Sequence, residues 1–412
     1  MLKVSSKGFR VLSLFLVVCL CFSFACGCKR KDNTVVSLNI SEADLTLAPE
    51  ELTDKYAFEY FSSLSGAIAA AHADTVTSNA DAEKEDAVAG VYNGGDDPYV
   101  LLLKHTKETK GIMFSKNMTV NLGGNTLTFE GCALAFEIED QTAHTVTFDG
   151  RLTGSKIVVE GTDLAAGVFR TRTGTIVVNG GNYVARSSSQ TARAKTVYVD
   201  HGGTLNMTDC DIDAVCHYLY ESGKGYTALS IGVTNYGTAV LKNCEVFGTH
   251  SGMQTAGVVW VDGGVYESYG HGGIYFSGES TVGYVKNAEL KEGTMPVDYL
   301  QTAGGNKAAF YIGGNNGNNI KVYMDNCIIS SGSQGIILRG TSNESNNSLY
   351  ISNSTIPLSL TLPVRIDNNS HRLYIGSGNN FGATDVQCMN DVTEDDLKVM
   401  VIETDEVYCQ DW

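Results

Sequence analysis

One stretch recurs down this chain and limits what it can fold into. GTAVLKNCEVF at Gly237 returns as GTIVVNGGNY at Gly174, GTLNMTDCDI at Gly203, IKVYMDNCII at Ile320 and SLYISNSTI at Ser348. Looser versions stand at Thr119, Thr145, Val258, Val282 and His371, which makes ten copies. A repeat of this size with two-residue alternation inside it marks a solenoid, whose units bury their apolar faces only by stacking. Set on Asn243, the other turn residues are Gly123, Asp149, Gly180, Asp209, Asp262, Asn287, Asn326, Asn353 and Ser377.

Alternation assigns directions within each copy. One inward column reads Leu122, Phe148, Val178, Met207, Leu241, Trp260, Val285, Met324, Ile351 and Ile375. A second reads Val120, Val146, Ile176, Leu205, Ala239, Val258, Gly283, Val322, Leu349 and Leu373. A small residue follows the turn residue in most copies, Cys210, Cys244 and Cys327 among them, and an apolar one such as Val246 or Val265 then turns inward. A further strand per turn is legible in TVYVDHG at Thr196, GIYFSG at Gly273, AAFYIGG at Ala308 and GIILRG at Gly335. Two strands and several turns in so short a repeat leave no room for crossover helices.

The pattern resembles the right-handed parallel β-helix, or pectate-lyase-like, superfamily over about Phe58 to Phe381. The expected fold is therefore all-β: a single-stranded right-handed parallel β-helix solenoid with an N-terminal capping helix and an irregular C-terminal cap. Members of that superfamily include lyases, glycoside hydrolases, adhesins and phage tailspikes, so the resemblance carries the fold and not one activity.

The ends of the chain read differently. Lys3, Lys7 and Arg10 precede an apolar run from Val11 to Phe24, a secretory signal by charge and length. As a helix that run rises about 21 Å, short of the ~30 Å hydrocarbon core. Ser23-Phe24-Ala25-Cys26-Gly27-Cys28 resembles a bacterial lipobox, which implies lipidation at Cys26 or Cys28, although Ser23 or Ala25 stands where that motif prefers Leu. The expected organisation is a lipoprotein-type signal at 1–27, a tether at 28–55, the β-helix at 56–382 and the C-terminal cap at 383–412. Apolar positions Phe61, Leu64, Ile68 and Ala71 give the capping helix its stripe, and Asp74 to Asp97 reads as a polar excursion. The expected location is export, either secreted or held on the outer face of a bacterial membrane.

Charge narrows the partners. The net charge of −17 argues against nucleic acid, which needs a basic surface. It also argues against acidic polysaccharides unless calcium or a local basic groove intervenes. No CxxC spacing follows the signal, and no metal site or other cofactor is expected, calcium being the one possible ion. Of 11 cysteines, Cys132, Cys210, Cys216, Cys244, Cys327, Cys388 and Cys409 lie beyond the signal. Cys210, Cys244 and Cys327 share the small inward slot and read as buried thiols, while a Cys388–Cys409 disulfide stays open.

Three constellations are candidate sites. His271 sits in Gly270-His271-Gly272, which is similar to the Gly-His-Gly of polygalacturonase-type hydrolases. The family's Asp-Asp is missing beside THSG at Thr249, and Arg365-Ile366-Asp367 lacks its lysine. Stacking places Asp211 beside Glu245 in an outward column that runs Asn182, Asp211, Glu245, Gly264, Glu289 and Ile328, a carboxylate spacing suited to a retaining glycosidase or to calcium. His271, Asp211 and Glu245 are thus the candidate catalytic groups. Last, Tyr284, Tyr323, Tyr350 and Tyr374 occupy one outward column, preceded in it by Val240 and Val259. Such a strip can meet sugar faces or act as a ladder that stiffens the sheet. The expected function is a surface β-helix that binds a polysaccharide, either a host or a cell-wall glycan, or acts as an adhesin. The alternatives are a polysaccharide lyase or glycoside hydrolase, and a structural spacer. The oligomeric state is open.

Overall fold

The computed structural model describes residues 39–73, 80–138, 143–161, 165–302, 308–314, 317–331, 334–340, 345–358, 360–388 and 393–404. Cys26, Cys28 and Cys409, and with them the lipidation and the disulfide, lie outside these residues. Among the described residues no helix is long and apolar enough to cross a membrane.

Each copy of the repeat forms a strand that pairs parallel and in register with the copy before and after it. Thr175–Asn179 pairs with Thr204–Thr208, which pairs with Thr238–Gly248, then Val258–Ser268, Val282–Lys286, Lys321–Asp325, Ser348–Ser352 and Arg372–Ile375. Past the corner a second row runs through Asn182–Ser187, Asp211–Val215 and Glu289–Glu292 in the same sheet. A separate sheet gathers the further strand of every turn, from Ile112–Phe114 through Gly272–Phe276 to Val386–Cys388. Successive turns of one chain thus stack on themselves. The chain is a parallel β-helix.

The recurring Asn or Asp is explained by the corner between the two rows. Asp209, Asn243, Asn287, Asn326 and Asn353 all have positive φ, between 48° and 56°. Asn and Asp visit this left-handed region more readily than other non-glycine residues. Their side chains also tie turns together: the Nδ2 of Asn287 donates to Asp262 Oδ1 at 2.7 Å, and that of Asn326 to Asn287 Oδ1 at 2.7 Å. Cys210, Cys244 and Cys327 follow the corner and are buried, as expected.

Inside, the two apolar columns form the core. Val178, Met207, Leu241, Val285, Met324 and Ile351 are buried. At the N-terminal end Phe114, Phe136, Phe148 and Phe169 fill the lumen, with centroids of neighbouring rings 4.6–6.1 Å apart. Burying one such side chain is worth about 1.5–3 kcal/mol.

Several expectations need correction. In the copy at Val258 the corner residue is Gly263, with φ 78°, and not Asp262. Lys242 pairs with Asp262 and Leu241 with Val261, so the whole copy shifts by one residue. Val259 and Val261 point inward, and Trp260 and Val258 do not. Val265 likewise takes the outward place expected of Gly264, and Tyr266 fills the core in place of Val265. At the start of the coil Val120 pairs with Phe148 and Met118 with Val146, so Leu122 lies two residues past its expected column although it is buried.

The ends also differ from expectation. Asn39 to Lys55 is not a free tether: Glu42–Thr46 and Pro49–Lys55 are helical, and Leu52 packs with Phe58, Tyr99 and Leu101. Tyr56 and Lys55 both bond Asp44, which fixes the segment to itself. The expected capping helix is Leu64–His72, with Leu64, Ala67, Ile68 and Ala71 buried and Ser63 accepting from Gly66 N as its N-cap. Within the supposed polar excursion, Ala89–Tyr92 is a strand paired to Glu59–Phe61 and Tyr99–Leu102. Beyond Gly382 the coil continues for one more rung, because Val386–Cys388 and Val401–Glu403 extend both sheets and the helix Glu394–Met400 lies between them.

Candidate functional site

The outer face of the second sheet carries a cavity built by residues from distant copies. Ser251 pairs with Gly272, which puts His250 and His271 on consecutive turns just before their strands. The two imidazoles stack, centroids 4.4 Å apart and planes 12° from parallel. Along the same sheet the outward column runs Tyr198, Thr234, Gln254, Tyr275 and Tyr311. One wall is a hairpin of Leu219–Glu221 against Gly225–Asn235, whose Tyr226 stands edge-on to both histidine rings at 5.3 Å and 5.8 Å. The loop before Thr302 holds that hairpin: Tyr218 N donates to Leu300 O, and Leu300 N donates to His217 Nδ1.

The cavity is about 350 Å³ and open to solvent on one side, and Arg193, Lys195 and Arg339 line it with the histidines and tyrosines. Lys195 Nζ lies 4.6 Å from the centre of the Tyr198 ring. Arg339 is 3.6 Å from Asp367, a carboxylate it shares with Arg365. Burial pushes the Lys195 ammonium down to about 8, and Arg193 pushes in the same direction. Burial, then Arg339, lowers His271 to about 4. His250 is held well below its ordinary value by burial, then by His271, Arg193 and Lys195. Tyr275 and Tyr311 are raised, chiefly by burial. At neutral pH the cavity therefore offers positive charge, two neutral imidazoles and aromatic walls. That is a binding set for an anionic ligand with apolar faces.

His271 is in this cavity, but the residues proposed as its hydrolase partners do not join it. Arg365 and Asp367 sit three strands further along the sheet, where they bond each other. Sequence reasoning missed His250, Arg193, Lys195, Arg339 and Tyr226. One signal was present for His250: THSG and YGHG each place a histidine just before a strand of the second sheet.

Asp211 and Glu245 are paired neighbours, as stacking expects. Together with Asp213, Glu267 and Lys291 they line a cavity of about 360 Å³ on the first sheet. Burial raises Asp211, with the Glu245 charge adding to it, while a hydrogen bond from Asn182 opposes both. Asp213 is pushed up to about 6, by burial first and the Asp211 charge second. Among the described residues no group of three or more His, Cys, Asp or Glu is placed to hold a metal ion.

The tyrosine column is present and longer than expected, because the one-residue shift brings Trp260 into it. Centroids from Trp260 through Tyr284, Tyr323 and Tyr350 to Tyr374 are 5.7, 5.3, 4.7 and 4.2 Å apart, with planes within 13° of parallel. Each ring therefore covers the face of the next. A ligand meets edges and hydroxyls here, and not the broad faces that stack on sugars.

Comparison with known proteins adds one solved structure. No family model and no curated protein matches the chain. A search of solved structures matches a crystal structure of Dettilon tailspike protein (gp208) at 14% identity, covering 68% of this chain and 62% of that one. The TM-score is 0.32, so the fold rests on the strand register above and not on this likeness.

Proposed function

We propose that this protein is a glycan-binding parallel β-helix that grips an acidic polysaccharide in the cavity around His250 and His271. The observation that carries the reading is charge placement: in a chain of net charge −17, three cationic side chains converge on one tyrosine-lined cavity. Acidic glycans, disfavoured by the overall charge, become the favoured class once such a local basic groove exists. The tyrosine ladder is assigned to stiffening the coil, since its ring faces are covered by one another.

Export and anchoring belong to the same reading. A basic N-terminus, a short apolar run and Cys26 and Cys28 support a lipid-anchored protein on the outer face of a bacterial membrane. A Cys26→Ser/Cys28→Ser double variant is expected to leave the membrane fraction. A variant that is processed normally and stays there contradicts the anchor.

A second reading, a polysaccharide lyase, is favoured by one observation. Lys195, lowered to about 8, is a side chain whose neutral fraction can accept a proton near neutral pH, beside Arg193 and Arg339, which would hold a carboxylate. One experiment separates the readings. Immobilised acidic and neutral polysaccharides are offered to the protein, and both retention and new unsaturated or reducing ends are recorded. Retention on acidic chains without new ends supports binding, and unsaturated ends support the lyase. Retention on neutral chains alone contradicts the site.

A further inference from the structure

The stacked histidines are the least explained part of the cavity. His250 Nδ1 is 2.9 Å from Ser251 Oγ, and His271 Nδ1 is 3.4 Å from Tyr218 Oη. Both rings line the cavity, so Nε2 is the nitrogen each has left for whatever enters. Tyr218 donates its hydroxyl hydrogen to Tyr226 Oη at 3.2 Å and therefore accepts from His271. The His271 hydrogen is then on Nδ1, and Nε2 carries a lone pair. A lone pair cannot donate to an anion. The ring must gain a proton before it can.

We infer that the His250–His271 pair is a proton-coupled oxyanion clamp: a carboxylate, sulfate or phosphate group of the ligand seats among Arg193, Lys195 and Arg339, and the pair takes up a proton from solvent as it does so. The inference rests on the glycan-binding reading and adds to it the group recognised and its pH control. The proton adds to an imidazole Nε2, and the resulting N–H donates to an oxygen of the anion.

The surroundings set the sign. Arg193 and Lys195 face the pair from the strand Arg193–Val199, and Arg339 faces it from Gln334–Gly340. Tyr226, Tyr275 and Tyr311 face it from the strands Gly225–Asn235, Gly272–Phe276 and Ala308–Gly314, and Tyr218 closes the remaining side. No carboxylate is among the described residues that line the cavity, and Asp367 meets Arg339 from beyond it. With no anion bound, burial and these cations keep both rings neutral. An anion among them reverses the nearest charge and raises the imidazole pKa. Affinity must then climb as pH falls, by up to about tenfold per pH unit for each coupled proton, and level off below the free-state value of about 4. Above the bound-state pKa it is flat.

Inorganic sulfate is the probe, titrated calorimetrically into the full-length protein at about pH 7 and about pH 5, each in two buffers of different ionisation enthalpy. The expected result is an affinity at least roughly tenfold higher at the lower pH, with roughly one proton taken up per sulfate. His271→Asn, checked for folding by its melting curve, is expected to flatten the pH dependence while Arg193, Lys195 and Arg339 retain weak binding. The proton count on the unmodified protein needs no variant. Equal affinity at both pH values, no proton uptake, or no sulfate binding overturns the inference. Sulfate bound with proton uptake but no glycan retained sinks the glycan reading alone, whereas a retained acidic glycan with flat pH dependence sinks the clamp alone.

Discussion

At the scale of single residues, burial decides most of what the site can do. His371 is fully buried, Nδ1 accepts from Asn347 N at 3.2 Å, and burial lowers it to about 4. His250 and His271 are lowered in the same direction. A histidine kept neutral in the folded state binds fewer protons than its unfolded counterpart between about pH 6.5 and about 4. Stability is therefore lost as pH falls through that window, by up to about 3 kcal/mol for a fully buried ring. Asp213, raised to about 6, has the opposite sign, because folding then favours its protonated form. Asp211 is raised in the same direction, but these three histidines and His72, also lowered by burial, outnumber the two carboxyls, so the urea midpoint is expected to drop from pH ~6.5 to ~4. A midpoint that holds or rises would show that these rings are protonated in the folded protein. Cys244, fully buried at the corner, makes a second residue-scale test. Cys244→Leu is expected to cost about 1–3 kcal/mol by overpacking, read as a lower unfolding midpoint, and native Cys244 is expected to resist alkylation.

At the scale of elements, the corner and the ladder divide the work of holding turns in register. Asn243 combines a left-handed backbone with a hydrogen bond that its side-chain amide donates to Asp209 Oδ1 at 3.2 Å. Asn243→Ala loses that hydrogen bond and places Ala in a conformation costing about 1–2 kcal/mol, so a destabilisation of about 2 kcal/mol is expected in denaturant unfolding. Asn243→Gly should recover part of it. The ladder contributes through ring contacts, each worth about 0.5–1.5 kcal/mol beyond the area it buries. Tyr323→Ser with Tyr350→Ser removes three of the four contacts. Melting is expected to fall clearly while retention on an acidic glycan is unchanged, and lost retention in a folded double variant would return the ladder to the binding surface. The corner motif is what made the fold legible: Asn or Asp before a small residue, with alternation ahead of it, recurs often enough to set columns. The copy at Val258 departs from the pattern because WVDGG has no Asn, and its corner falls on a glycine one residue after the Asp. That shift hid Trp260 from the ladder and Tyr266 from the core.

At the scale of the whole molecule, the coil brings side chains from Arg193 to Arg339 to one face. This is why the cavity was barely legible in the sequence. Its strands belong to the second sheet, whose copies vary more than those around the corner, and the loops between turns differ in length, so no spacing marks which residues meet. His271 was found through its glycines, but the cations that give it a chemical setting come from turns on either side. Asp211 and Glu245 were legible for the opposite reason, since both follow the corner at the same interval. The long-range field of an acidic chain opposes an acidic ligand, and the local cations must overcome it at close range. Binding is therefore expected to need direct contact with the cavity and to weaken with added salt, through screening over ~10 Å at 0.1 M.

The most direct measurement is the affinity of an acidic oligosaccharide for the unmodified protein and for an Arg193→Ala/Lys195→Ala variant, with a neutral oligosaccharide of the same length alongside. The cavity reading expects tight binding of the acidic chain alone, weakened at least roughly tenfold in the variant, with the melting temperature little changed. Equal binding of the neutral chain, or an acidic chain bound as well by the variant as by the unmodified protein, would contradict it.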